Sequence, residues 1–160
     1  MNRSKLPFAG LIVLVLFLGM STAQEFDASL GADTYNSCMG CHQADGKGRP
    51  GIFPPLAENM PIIFAADGGR EYLINVLLFG LQGEIEVLGA TYNGLMPSWA
   101  ASLSDDQIAA VLNHELTSWG NEQLLTDPFE PITSDEVAVI RELGRSASDV
   151  LELRQGLVLE

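Results

Sequence analysis

Cys38-Met39-Gly40-Cys41-His42 is the stretch on which the reading of this chain turns. Two cysteines separated by two residues and followed at once by a histidine form the pattern of covalent c-type haem attachment. If these residues end a helix, Cys38 and Cys41 lie three apart on one face. Their sulfurs can then bond the two vinyl groups along one porphyrin edge. His42 is four from Cys38, so its ring can reach the iron from the same side, and the opposite side needs a second residue. Three other readings fit less well. Structural zinc takes four protein ligands, yet Cys38 and Cys41 are the only cysteines and His114 is the only other histidine. A thioredoxin-like redox pair belongs beside a βαβ pattern, which is not found here. A disulfide between two cysteines so close in sequence would close very little chain.

Upstream, Arg3 and Lys5 precede an apolar run from Phe8 to Met20, and Ser21-Thr22-Ala23 follows. A basic start, a short apolar stretch and small residues make a secretory signal peptide. The run is shorter than the ~20 apolar residues of a membrane span. Residues 1–23 are therefore expected to be removed, and the mature chain is expected to begin at Gln24. Export to the periplasm or the outer face of the cytoplasmic membrane suits covalent haem. Without Arg3 and Lys5 the net charge is −15. That excludes nucleic-acid binding, which needs a basic surface, and keeps the protein away from anionic membranes. The remaining length is that of one domain.

Around the motif, Phe26 to Cys38 reads as a first helix with Asp27 as N-cap. Gly31 and Tyr35 share one of its faces, where a second helix can approach closely. Gln43 to Pro55 is a Gly- and Pro-rich loop. A metal-bound histidine usually donates its other ring N–H to a fixed acceptor, and a carbonyl in Phe53-Pro54-Pro55 is the expected partner of His42. A short helix is expected over Pro61 to Ala66. A clearer one spans Arg70 to Phe79, with Tyr72, Leu73, Val76 and Leu77 on one face and Gly80 as stop. Glu84 to Tyr92 alternates and reads as a hairpin turning near Gly89. Ser104 opens another helix with a capping box to Gln107. Ile108, Val111, Leu112, Leu116 and Trp119 form its apolar face, and Gly120 ends it.

Between hairpin and helix lies Tyr92-Asn93-Gly94-Leu95-Met96-Pro97. A methionine in a glycine-rich, proline-stiffened loop can be aimed as a ligand, and a neutral thioether raises a haem's potential. Met96 follows His42 by 54 residues, room enough to wrap to the other side of the haem. Met39, Met60 and His114 are the rivals. Met39 sits between the cysteines and cannot turn back. Met60 lacks the loop, and a mid-helix His114 is more often packed than ligating.

Together, the Cys38–His42 motif, Phe53-Pro54-Pro55-Leu56, the Met96 segment and the Ile108–Trp119 helix resemble the class I (mono-haem) cytochromes c. The resemblance covers essentially the whole mature chain. It implies an all-α fold around one covalent haem c, held by Cys38 and Cys41 with His42 and Met96 as axial iron ligands. It also implies that the first and last core helices cross through a glycine and an aromatic pair. Gly31 and Tyr35 match the first helix, and His114 departs from the aromatic of the last.

The segment from Gly69 to Ile74, Asn113-His114 and the tail are similar to the long-tailed soluble cytochromes c of thermophilic bacteria, which donate electrons to a haem–copper terminal oxidase. The implied role is a monomeric shuttle, not an enzyme, fed by a quinol-oxidising complex. A haem subunit of a dehydrogenase or oxidase complex is the alternative, with a haem peroxidase or gas sensor behind it. The chain divides into a signal peptide (1–23), a core (24–121) and a helical tail (122–160). In the tail, Thr133-x-x-Glu136 caps one helix, and Ser146 to Gln155 forms another. Each is too short to stand alone in water, so both are expected to dock on the core and shield the haem.

Overall fold

In this computed structural model of the chain, residues 26–125 and 128–159 are described. The expected signal peptide and Gln24 lie outside them. The elements follow one another as helix α1 (Ala28–Tyr35), α2 (Met39–His42), α3 (Asn59–Ala65), α4 (Gly69–Phe79), strands β1 (Leu81–Val87) and β2 (Ala90–Met96), then α5 (Asp105–Thr117), a 3-10 turn (Asn121–Gln123), α6 (Ser134–Arg141) and α7 (Ala147–Gly156). The fold is helical, with one two-stranded antiparallel hairpin. No described helix is long and apolar enough to cross a membrane.

Helices α1 and α5 cross at Gly31. A Cβ there would stand 2.4 Å from the Ala110 carbonyl oxygen and 2.8 Å from His114 Cβ, so only glycine lets the two backbones meet. Tyr35, His114 and Trp119 close the crossing. The Tyr35 ring lies 5.5 Å from His114 and 4.9 Å from Trp119, centroid to centroid. His114 thus packs as an aromatic in the joint.

The first helix is shorter than expected. Asp27 does cap it, accepting from the Leu30 amide. It stops at Tyr35, however, and a turn separates it from α2, which carries the motif alone. The hairpin is longer than expected. Its strands pair from Leu81↔Met96 to Val87↔Ala90. Leu88 and Gly89 both have positive φ, the two-residue turn that suits strand twist. Met96 therefore ends a paired strand, where a loop was expected. Gly80, at φ 77°, lets α4 turn directly into β1, and a Cβ there would meet the Met96 carbonyl.

All three serine or threonine caps form: Ser104, Thr133 and Ser146 each bond the amide three residues on, and the side chain there bonds back. The tail helices lie on the core. Val137, Val150 and Ile132 are buried. Leu151 packs on Gly83 of β1, whose missing side chain leaves the space. Asn113 makes a buried two-way bond with Ile132, 2.8 Å each way. Arginines complete the seam. Arg70 forks onto Glu136 at 2.6 and 2.8 Å and donates to the Glu130 and Pro131 carbonyls. Arg141 binds Asp105 and the carbonyls of Ala100 and Leu103. Arg145 pairs with Glu71, and Arg154 donates to the Glu86 carbonyl.

Candidate functional site

One cavity lies between α2, the loop after it, α3, α4, the hairpin and α5. Its volume is about 160 Å³, and it opens to solvent on one side. Tyr72, Leu73, Val76, Leu77 and Leu112 give it apolar walls, and Cys38, Cys41, His42 and Met96 also line it. His42 and Met96 are 54 residues apart in the chain, and the fold puts them on one surface with the two cysteines.

Local structure presents each of them. In α2, Cys41 N and His42 N both bond the Cys38 carbonyl, closing the tight turn that groups the motif. The chain then reverses at Gln43, whose φ is 63°. Tyr35 Oη donates to the Gln43 carbonyl at 2.7 Å, so α1 holds that reversal. Gly48 N bonds the His42 carbonyl, and a Cβ on Gly48 would strike the Phe53 and Pro54 carbonyl oxygens. The loop is thereby pressed against His42. Trp119 seals its outer side, donating to the Ala44 carbonyl and stacking where a Gly46 side chain would be.

His42 Nδ1 lies 3.0 Å from the Pro54 carbonyl oxygen. As Nδ1–H donor it leaves Nε2 with a free lone pair, the tautomer a metal ligand needs. Burial lowers the ring's pKa, and the Pro54 contact opposes this in part. The imidazole is thus held neutral. Cys38 is half-buried and Cys41 exposed, both as free thiols. Burial, with the Glu115 carboxylate adding to it, pushes the Cys38 thiol up to about 12.

Of the rivals to Met96, Met60 also lines the cavity, while Met39 and His114 do not. Among the described residues no group of three or more His, Cys, Asp or Glu side chains could hold a metal ion by itself. The donor set fits a covalent haem: two thiols at one edge, one oriented imidazole, thioethers to hand, and apolar walls.

Three features escaped the sequence reading. Ile52 and Leu95 stand exposed on the cavity's rim. Glu115 is buried and faces the same space. Its place gives the signal: it falls three after Leu112 and four after Val111, inside the apolar stripe of α5. The shielding role of the tail needs correction. No described tail residue lines the cavity. Helix α7 backs β1 and α4 from behind, because its apolar face meets their outer sides.

Residues 28–119 match the cytochrome c family. The chain is 47% identical over 150 residues to a cytochrome c-552 of Thermus thermophilus, covering 94% of this chain and 97% of that one. A second cytochrome c-552 from the same species is 51% identical over 130 residues, 81% of this chain and 98% of the other. The cytochrome c subunit of a quinone-dependent alcohol dehydrogenase from Gluconacetobacter polyoxogenes is 37% identical over 120 residues, 74% of this chain but 24% of that subunit.

Proposed function

Because this chain belongs to the cytochrome c family, with covalent haem c as its cofactor, we propose that it is an exported carrier of single electrons, holding one haem through Cys38 and Cys41 and ligating its iron with His42 and Met96. The observation that carries the proposal is that all four residues line one largely apolar cavity. Bound there, haem would supply an iron that gains and loses one electron. Everything else is the chain's work. Cys38 and Cys41 fix one edge. Pro54 holds the His42 ring in one tautomer and orientation. With His42 and Met96 both on the iron, no position would remain for substrate, which would suit a shuttle and not an enzyme. Apolar walls keep water away, and a thioether ligand favours a high potential.

Support for Met96 over Met60 comes from its tether. Its backbone pairs with Leu81. Just beyond it, Trp99 N and Ser98 Oγ bond the carbonyls of Leu77 and Leu78 at the end of α4. A ligand on such a segment keeps its place when the charge on the iron changes.

Cys41, Ile52, Leu95 and Pro97 are exposed around the mouth. They form an apolar rim for brief contact with redox partners, in place of a ring of lysines that this chain lacks. Within this reading, a quinol-oxidising complex is the donor and a terminal oxidase the acceptor. The signal peptide (1–23) is removed, and a monomer with a core (24–121) and a tail (122–160) works in the periplasm. A second reading, the haem subunit of a dehydrogenase complex, draws on the 37% identity to such a subunit. The match spans 97% of a cytochrome c-552 but 24% of that subunit, which favours the shuttle.

The test is an absorption spectrum of the haem-loaded protein, oxidised, then reduced, then with carbon monoxide. A weak long-wavelength band of sulfur-bound ferric iron and a reduced spectrum indifferent to carbon monoxide are expected. Ready carbon monoxide binding at neutral pH would overturn the two-ligand reading.

A further inference from the structure

Glu115 has no role in the scheme above, yet among the described residues it is the one carboxylate on the cavity wall. It is 3% exposed. Among the described residues no hydrogen bond reaches its carboxyl group, and burial alone accounts for its shift. No described lysine or arginine lines the cavity. The titratable groups facing it are few. Tyr35 of α1 and Cys38 at the start of α2 both feel its charge. Tyr35 Oη is committed to the Gln43 carbonyl, and Cys38 no longer titrates once it is a thioether. Cys41 and His42 of α2, Tyr72 of α4 and Tyr92 of β2 stand elsewhere on the wall. A buried carboxyl without a partner ionises more readily when a positive charge comes near it, and in this cavity the charge that would change is that of the haem iron.

We infer that Glu115 is a proton-binding site coupled to the electron: its carboxylate takes up one proton from solvent when the haem gains an electron from the donor, and releases it on oxidation. The step balances. One electron and one proton enter, no bond other than O–H forms, and the charge inside the cavity stays constant. The sign follows from electrostatics. Ferric iron carries one more positive charge than ferrous iron and favours the carboxylate, so Glu115 is the stronger acid in the oxidised protein. Burial already pushes its pKa up to about 8, within reach of ordinary working pH. The inference rests on haem occupying the cavity and does not depend on which methionine ligates it.

Potentiometric titration of the holoprotein across pH values on either side of 8 tests it. The potential of the wild type is expected to fall with rising pH. The slope approaches about 59 mV per pH unit between the pKa values of the two redox states, because a tenfold change in a one-electron equilibrium is about 59 mV. E115Q is expected to flatten that slope, as is E115L if the glutamine variant fails to take up haem. The reduced-minus-oxidised infrared difference spectrum of the wild type should show a protonated carboxyl C=O band, absent from either variant. A flat wild-type potential with no such band would overturn the inference. So would a slope that persists in the variants, which would belong to the haem's own carboxylates. The carbon monoxide test above reads the axial ligands separately, so one reading can fail without the other.

Discussion

The two walls of the cavity are stiffened by different means. The His42 wall is local. Everything that shapes it lies between Tyr35 and Leu56, apart from the Trp119 seal: one short helix, a reversal at Gln43, glycines pressed on carbonyls, and the Pro54 contact. The Met96 wall is built from afar. It needs the hairpin ladder, the end of α4, Arg141 gripping the carbonyls of Ala100 and Leu103, and Leu151 and Arg154 of α7 behind β1. The difference matches what each wall must hold. His42 sits beside the two proposed covalent anchors and needs little further help. Met96, as the proposed ligand, has no covalent tether, and the tail converges on its side.

The sharpest way to break this comparison is at the methionines. M96A is expected to open one axial position, admit carbon monoxide and lower the potential on the order of 0.2 V, within the roughly 0.8 V that axial ligands span. M60A should keep the sulfur–iron band and lose about 2–5 kcal/mol of stability, as buried methionines do on truncation. Interchanged outcomes would make Met60 the ligand.

Removing residues 127–160 comes next. Uncovering the sites of Val137 and Val150 alone should lower stability by about 3–6 kcal/mol. The sulfur–iron band should then vanish on warming before the protein unfolds, while the haem stays attached at Cys38 and Cys41. An unchanged melting temperature and band would show that the Met96 wall stands without the tail.

The smallest effect is expected at Glu136. The Arg70 guanidinium, with the Thr133 amide and hydroxyl assisting, holds its carboxyl down at about 2. A carboxylate so lowered stabilises above its ordinary value of 4.5, and the contribution fades as pH falls through about 2. E136Q should therefore lower stability at neutral pH, by about 1 kcal/mol or less for a partly exposed pair, a deficit seen in the melting temperature that closes as pH falls below about 2. A deficit that persists in acid would place the effect in the helix cap rather than the ion pair.

What could be read from the sequence follows the same division. The motif, the capping boxes at Ser104 and Thr133, the Gly31 crossing and the carbonyl partner of His42 are signals between near neighbours, or a glycine whose purpose is plain. The Met96 strand was obscured because Gly83 and Gly94 weaken the strand pattern. They face each other across the ladder, and the gap at Gly83 receives Leu151 from a helix 68 residues away. Arginine bonds to backbone carbonyls leave no sequence signal, since any residue supplies a carbonyl. For that reason the docking of the tail was foreseeable and its placement behind the hairpin was not.

The arginine seam has an electrical consequence. Beyond residue 25 the chain has six basic side chains, and four of them, Arg70, Arg141, Arg145 and Arg154, are spent inside the seam. The other two, Lys47 and Arg49, are exposed on the loop that follows the haem motif. The charge is therefore uneven as well as strongly negative, relieved at one short loop where Lys47 also stands 3.9 Å from Asp45. An external field turns such a body before it touches anything, so an encounter begins with the particle already oriented.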